Sequence, residues 1–137
     1  AKIVAKSIMA IAKEVQDSGN PIQTPAALIL GGEMIVTFDW EDRDGFGPNR
    51  EFVLSSAFEI EGRRNLVVAG ADTDGVDGEG KAGAIADGQT IARATLDPVF
   101  HLERHEAEAF FDHLDDSIVY SSRTNVNDID VILIGEK

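Results

Sequence analysis

Cysteine is absent from this 137-residue chain, which removes disulfides, thiolate metal sites and cysteine nucleophiles together. Positive charge is scarce: 12 Lys and Arg stand against 25 Asp and Glu, for a formal net charge of -13. A nucleic-acid backbone would be repelled over most of such a surface, so no nucleic-acid partner is expected. No apolar run approaches the ~18 residues that span a bilayer, and the opening AKIVAKSIMAIAKEV spreads its charges where a secretion signal would group an apolar block. The expectation is a soluble, cytoplasmic protein with no membrane partner. The chain opens at Ala1 with no methionine, which points to a removed initiator or to a cut from a longer chain. Its length suits one domain built on a single core.

Periodicity sketches the elements. Ile3, Val4, Ile8, Ile11, Ala12 and Val15 recur at helical spacing opposite Lys2, Lys6, Lys13, Glu14 and Asp17, and Ser18-Gly19-Asn20-Pro21 stops that helix. Ala26 to Leu30 and Met34 to Trp40 read as two strands running antiparallel around Gly31-Gly32-Glu33. Phe52, Val53, Ser56, Ala57 and Ile60 mark a second helix, closed by Gly62, and Leu66 to Ala71 a buried strand. Helices are expected over Ile85 to Thr95 and Pro98 to Leu114, and short strands over Ser117 to Tyr120 and Val131 to Ile134. Strands and helices alternate, so the class is α/β: a single domain with a mixed β-sheet flanked by helices.

The chemistry gathers in VVAGADTDGVDGEGKAG, Val67 to Gly83, where a buried strand passes into a glycine-rich loop carrying Asp72, Asp74 and Asp77. Clustered carboxylates repel one another unless a cation or backbone N–H groups satisfy them, and glycine permits close approach of backbone to a ligand. Two further polar loops follow strands, Gly31-Gly32-Glu33 and Ser121 to Asp128, while Pro48-Asn49-Arg50-Glu51 opens a helix whose free N–H groups favour an anion. Together they suggest one site for a phosphate and its metal. The plain structural alternative is that the aspartates cap a helix and pin turns through backbone N–H bonds.

Four ordered stretches, GGEMIVTF, GPNREF, VVAGADTDGVDGEGKAGAIAD and TNVNDIDVILIG, resemble the C-terminal, MOFRL-type domain of the glycerate 2-kinase family, some members of which are labelled hydroxypyruvate reductase. The corresponding family stretches read approximately GGETTV, GGRNQE, AADTDGIDG and TNVNDL. The resemblance implies a domain facing a larger N-terminal domain across a cleft, where phosphate passes from ATP, with Mg2+, to the 2-hydroxyl of D-glycerate. It implies that Gly31, Gly32, Glu33, Asn49, Glu51, Gly75, Asp77, Gly78, Asn125, Asn127 and Asp128 line the cleft and bind substrate or nucleotide, a small anionic ligand, and that Asp72 and Asp74 hold the metal. Its catalytic residues are not identified.

Departures from the family pattern matter. Pro48 stands where the pattern has arginine, and Arg50 where it has glutamine; proline supplies no guanidinium, though Arg50 offers one from nearby. Ser121-Ser122-Arg123 replaces a glycine-rich turn, and His105-Glu106-Ala107 a polar triplet. Two readings stay open: half of a kinase cleft, completed by an N-terminal domain or a separate chain and inactive alone, or a free-standing binding module without catalysis. Weak self-association between the acidic loop face and the lysines of the first helix is also expected. DTDGVDG lacks the EF-hand ligand order. His101 and His105, four apart, share a face with Glu108 that would suit a metal or plain solvation.

Overall fold

The computed structural model describes residues 1–37 and 45–137. Helix α1 (Lys2–Ser18) ends at Gly19, whose φ of 73° lets its N–H turn back to the Val15 carbonyl. Its buried face is Ala5, Met9, Ala12 and Val15, while Ile3 and Ile11 are exposed. The apolar face expected from the sequence is therefore rotated. The small side chains of Ala5 and Ala12 allow close packing on the next helix, and close packing decides the buried side over bulk hydrophobicity.

Strand β1 (Ala26–Gly32) precedes α2 (Pro48–Glu59). Every residue of α2 from Asn49 to Ala57 is buried, as suits a helix sandwiched by its neighbours instead of lying on a surface. Strands β2 (Leu66–Asp72) and β3 (Gly83–Asp87) follow, then α3 (Thr90–Arg93), α4 (Pro98–Glu103), α5 (Ala107–Leu114), β4 (Ser117–Ile118) and β5 (Asp128–Ile134).

The strands form one sheet in the order β1-β5-β2-β3-β4. The α/β class and the helix-flanked single sheet are as expected. The four pairings are all antiparallel, so the parallel pairs implied by a mixed sheet do not occur among the described residues. Strand β5 alternates strictly: Asp128, Asp130, Ile132 and Ile134 are buried, and the residues between them face the other way. The core joins Ile132 and Ile134 to Leu66, Val68, Ala84 and Ala86 from the sheet and to Met9, Val53, Phe110 and Phe111 from the helices. The opposite sheet face keeps Ile29 (72% exposed), Leu133 (52%), Ile129 and Ile85 exposed.

Three further expectations change. Residues 33–37 form no strand, β1 pairs with β5, and the remainder of the expected Met34 to Trp40 strand lies outside the described residues. The stretch read as a helix from Ile85 begins as β3, because Gly83, Ala84 and Ala86 are small enough to lie against β2: a Cβ at Gly83 would stand 1.9 Å from the Gly70 carbonyl oxygen. The Pro98 to Leu114 helix is two helices, separated where His105 takes a positive φ of 60°.

Candidate functional site

The strand register brings the expected loops to one end of the sheet. Gly32 of β1 pairs with Asp128 of β5, and Asp128 with Asp72 of β2, so the three residues form a row across three adjacent strands. From that row depart the Gly31-Gly32-Glu33 segment and the aspartate loop, and into it returns the segment ending at Asn127. The start of α2 reaches the same end through Asn49.

Asn49 is fully buried and joins three pieces of chain. Its amide Nδ2 donates to Asp77 Oδ1 at 3.1 Å and to Asp128 Oδ1 at 2.6 Å. Asp77, itself buried, also accepts from the backbone N–H groups of Asn49 at 3.1 Å and Arg50 at 3.0 Å. A helix start attracts an anion, and here the chain supplies its own. The expectation that these N–H groups await a ligand is corrected: Asp77 occupies them.

Arg50 is equally committed. Its Nε lies 3.2 Å from Asp77 Oδ2, and its second terminal nitrogen donates to the Asp77 carbonyl at 2.7 Å. Its remaining terminal nitrogen sits 2.8 Å from Glu108 Oε2, and the side chain is fully buried. It does not replace the family's arginine toward a ligand. Burial pushes the Asp77 carboxyl upward while the Arg50 and Asn49 donors pull it down. Gly78 keeps this turn tight: its φ is 63°, and a Cβ would fall 2.2 Å from the Phe46 carbonyl oxygen. Glu51 is buried against His105 Nδ1.

Asn49, Glu51, Asp77 and Asp128 are thus buried supports beneath the sheet end. Asp128 fastens the β1 exit as well, because its Oδ2 accepts from the Met34 N–H at 2.7 Å.

The accessible rim is a set of linked turns. Asp72 Oδ1 accepts from the Asp74 N–H at 3.1 Å, and Asp74 Oδ1 from the Val76 N–H at 2.9 Å. Asn125 Nδ2 reaches Asp74 Oδ2 at 3.2 Å, while its Oδ1 accepts from the Asn127 N–H at 2.9 Å. The Asn127 carbonyl, at a residue of φ 65°, accepts from Thr73 Oγ1 at 2.8 Å. Tyr120 Oη donates to the Asp72 carbonyl, and Gly75 lies under the Tyr120 carbonyl, where a Cβ would sit 2.7 Å away. Gly31, Gly32, Glu33, Asn125 and Asn127 are exposed. Burial raises the Asp72 carboxyl, with the Asp74 and Asp128 charges adding to it.

Among the described residues no group of three or more His, Asp or Glu stands close enough to enclose a metal ion. Mg2+ needs less, since it keeps several waters and commonly uses one or two carboxylates with substrate phosphates. Asp72 fits that role, because one of its oxygens takes no donor among the described residues and its environment already favours neutralisation of charge. Asp74 is adjacent. The histidine set does not assemble: His105 faces Glu51, His101 Nδ1 lies 3.2 Å from the Glu106 carbonyl, and Glu108 holds Arg50.

One residue escaped the sequence reading. Asp130 is 4% exposed, on the same face of β5 as Asp128, and its Oδ1 occupies the space over Gly70, where a Cβ would stand only 2.4 Å away. Burial, followed by the charges of Asp128 and Asp77, pushes its carboxyl up to about 7. The signal was the alternation Asp128-Ile129-Asp130-Val131-Ile132, a strand pattern with carboxylates at buried positions.

The comparisons with known proteins match this architecture. A D-glycerate 2-kinase of Thermotoga maritima is 34% identical over 142 residues, covering 98% of this chain and 33% of that protein. A protein of Agrobacterium vitis named "Putative hydroxypyruvate reductase" is 36% identical over 140 residues, covering 98% of this chain and 36% of its own length. The crystal structure of glycerate kinase from Thermotoga maritima superposes with a TM-score of 0.90 at 33% identity, over 97% of this chain and 33% of that one. The chain spans about a third of the length of these relatives. With a family model described as MOFRL family matching residues 26–128, this chain belongs to the MOFRL family.

Proposed function

We propose that this domain forms one wall of a cleft in which a glycerate kinase-type protein phosphorylates D-glycerate from ATP, and that the chain by itself does not turn over. The observation that carries the reading is the row Gly32, Asp128 and Asp72, which unites the family's glycine, aspartate and Asn-Val-Asn-Asp stretches at one sheet end. Phosphoryl transfer depends on positioning and on neutralising charge. Mg2+ would supply the neutralisation, with Asp72 and Asp74 as its protein ligands. The buried Asn49, Asp77 and Asp128 hold those ligands in register, and the exposed Asn125 and Asn127 offer polar groups toward the ligand side. A second domain, on the same chain or a separate one, would complete the cleft and exclude water.

The competing reading, a binding module without catalysis, is favoured by one observation: Arg50 is locked between Asp77 and Glu108, so with Pro48 beside it this wall presents no arginine from the α2 start. ATP-dependent phosphorylation of glycerate, assayed with this chain alone and then with an added N-terminal domain of a glycerate kinase, separates the two. Activity only in the mixture supports the split cleft; none in either supports the module; turnover by the chain alone overturns the proposal. Independently, added Mg2+ should raise the melting temperature, and Asp74→Asn should shrink that rise.

A further inference from the structure

The buried cluster beneath the sheet end leaves two acceptor oxygens without a donor among the described residues. Both hydrogens of the Asn49 amide go to carboxylates, Asp77 and Asp128, which fixes the amide orientation, since the flipped group would set its oxygen against two others. Asn49 Oδ1 is then buried with no hydrogen-bond partner among the described residues, and so is Asp130 Oδ1. Each would cost a desolvation penalty if it were left unsatisfied.

The charges around Asp130 do not relieve it. From its own strand comes Asp128, and from the aspartate loop Asp77. From β2 the facing residue is Gly70, with Asp72 further along opposite Asp128, and from β1 the neighbour beyond is Leu30. Helix α2 contributes Asn49 and Arg50, but the Arg50 guanidinium is already engaged by Asp77 and by Glu108 of α5, and Glu51 faces His105. An ionised Asp130 would add a further negative charge to this enclosure without a cation of its own. A proton changes two things at once: it removes that charge, and it turns an orphan acceptor into a donor in a cluster that holds a second orphan acceptor.

We propose that Asp130 carries a proton in the folded protein at acid pH, and that loss of this proton as the pH passes through neutrality loosens the attachment of the α2 start to the Asp72–Asp128 end of the sheet. The inference does not depend on the kinase reading. A carboxyl raised in the folded state, from ~3.9 in an unstructured chain to about 7, gives stability that is complete below the unfolded value and is lost as pH climbs through the folded one.

The test has two arms. In the first, the 13C carboxyl signal of Asp130 is followed against pH in the wild-type protein, with a midpoint expected near the raised value. A midpoint in the ordinary aspartate range overturns the proposal. In the second, melting temperature is measured from about pH 5 to about pH 8 for wild type and Asp130→Asn, whose amide keeps a donor and cannot ionise. Wild type should lose stability toward the alkaline end, and the variant should lack that slope and melt higher there. Equal slopes overturn the proposal. Should Asp130→Asn not fold, the carboxyl titration decides alone.

Discussion

Asp77 shows how much a single side chain settles here. It closes the start of α2, neutralises a fully buried arginine and receives the Asn49 amide. Asp77→Ala strands that arginine, and removing one partner of a buried ion pair costs about 3–5 kcal/mol. Asp74, in an accessible turn, should cost under ~1 kcal/mol as Asp74→Asn. Urea unfolding of the two variants checks the contrast. In the sequence, Asp72, Asp74 and Asp77 look alike, and spacing alone does not say which one a buried arginine will take. Gly70 and Asp130 make the converse case: the strand reading began at Val131, so two buried aspartates passed as loop residues. Local patterning misses a carboxylate whose environment is assembled by residues 50 or more positions away.

At the scale of elements, what could be read was what local sequence decides. Helix α1 stops where glycine can take a left-handed turn, and β2 is apolar at its buried positions. What could not be read was decided by neighbours. Helix α2 is buried on all sides and so has no polar face to reveal its period, and β3 is a strand because its small residues fit against Gly70 and Ala71. Gly83→Ala puts a methyl carbon against rigid backbone, so a loss of about 1–3 kcal/mol follows from overpacking, seen as a lowered thermal midpoint by circular dichroism. Helix α4 has a local anchor, since Asp97 Oδ1 accepts from the Val99 and Phe100 N–H groups at 2.9 and 3.2 Å. Asp97→Ala should cost about 1 kcal/mol in the same measurement.

Across the whole molecule, the helices cover one sheet face, and that asymmetry predicts where mutations hurt. Ile132 lies inside the core and Ile29 outside it. Ile132→Ala should cost about 2–5 kcal/mol, and Ile29→Ala within ~0.5 kcal/mol of nothing, by equilibrium unfolding in urea. The fold class, the helix-flanked single sheet and the gathering of three loops were legible because alternation and ordered motifs carry them. The sheet order was not, because pairing between distant strands leaves no local trace.

That order also has a history in time. Strand β5 comes last of the five in sequence yet lies between β1 and β2. As a ribosome makes the chain from its N-terminus, β1 waits apart from the β2–β3–β4 group until residues 128–134 emerge, and Asn49 waits for Asp128 with it. Until then the emerging chain carries open strand edges, which other chains can pair with. A nascent chain stalled before Asp128 should resist protease no better than an unfolded one over β1, and one released past Ile134 should close in a single cooperative step.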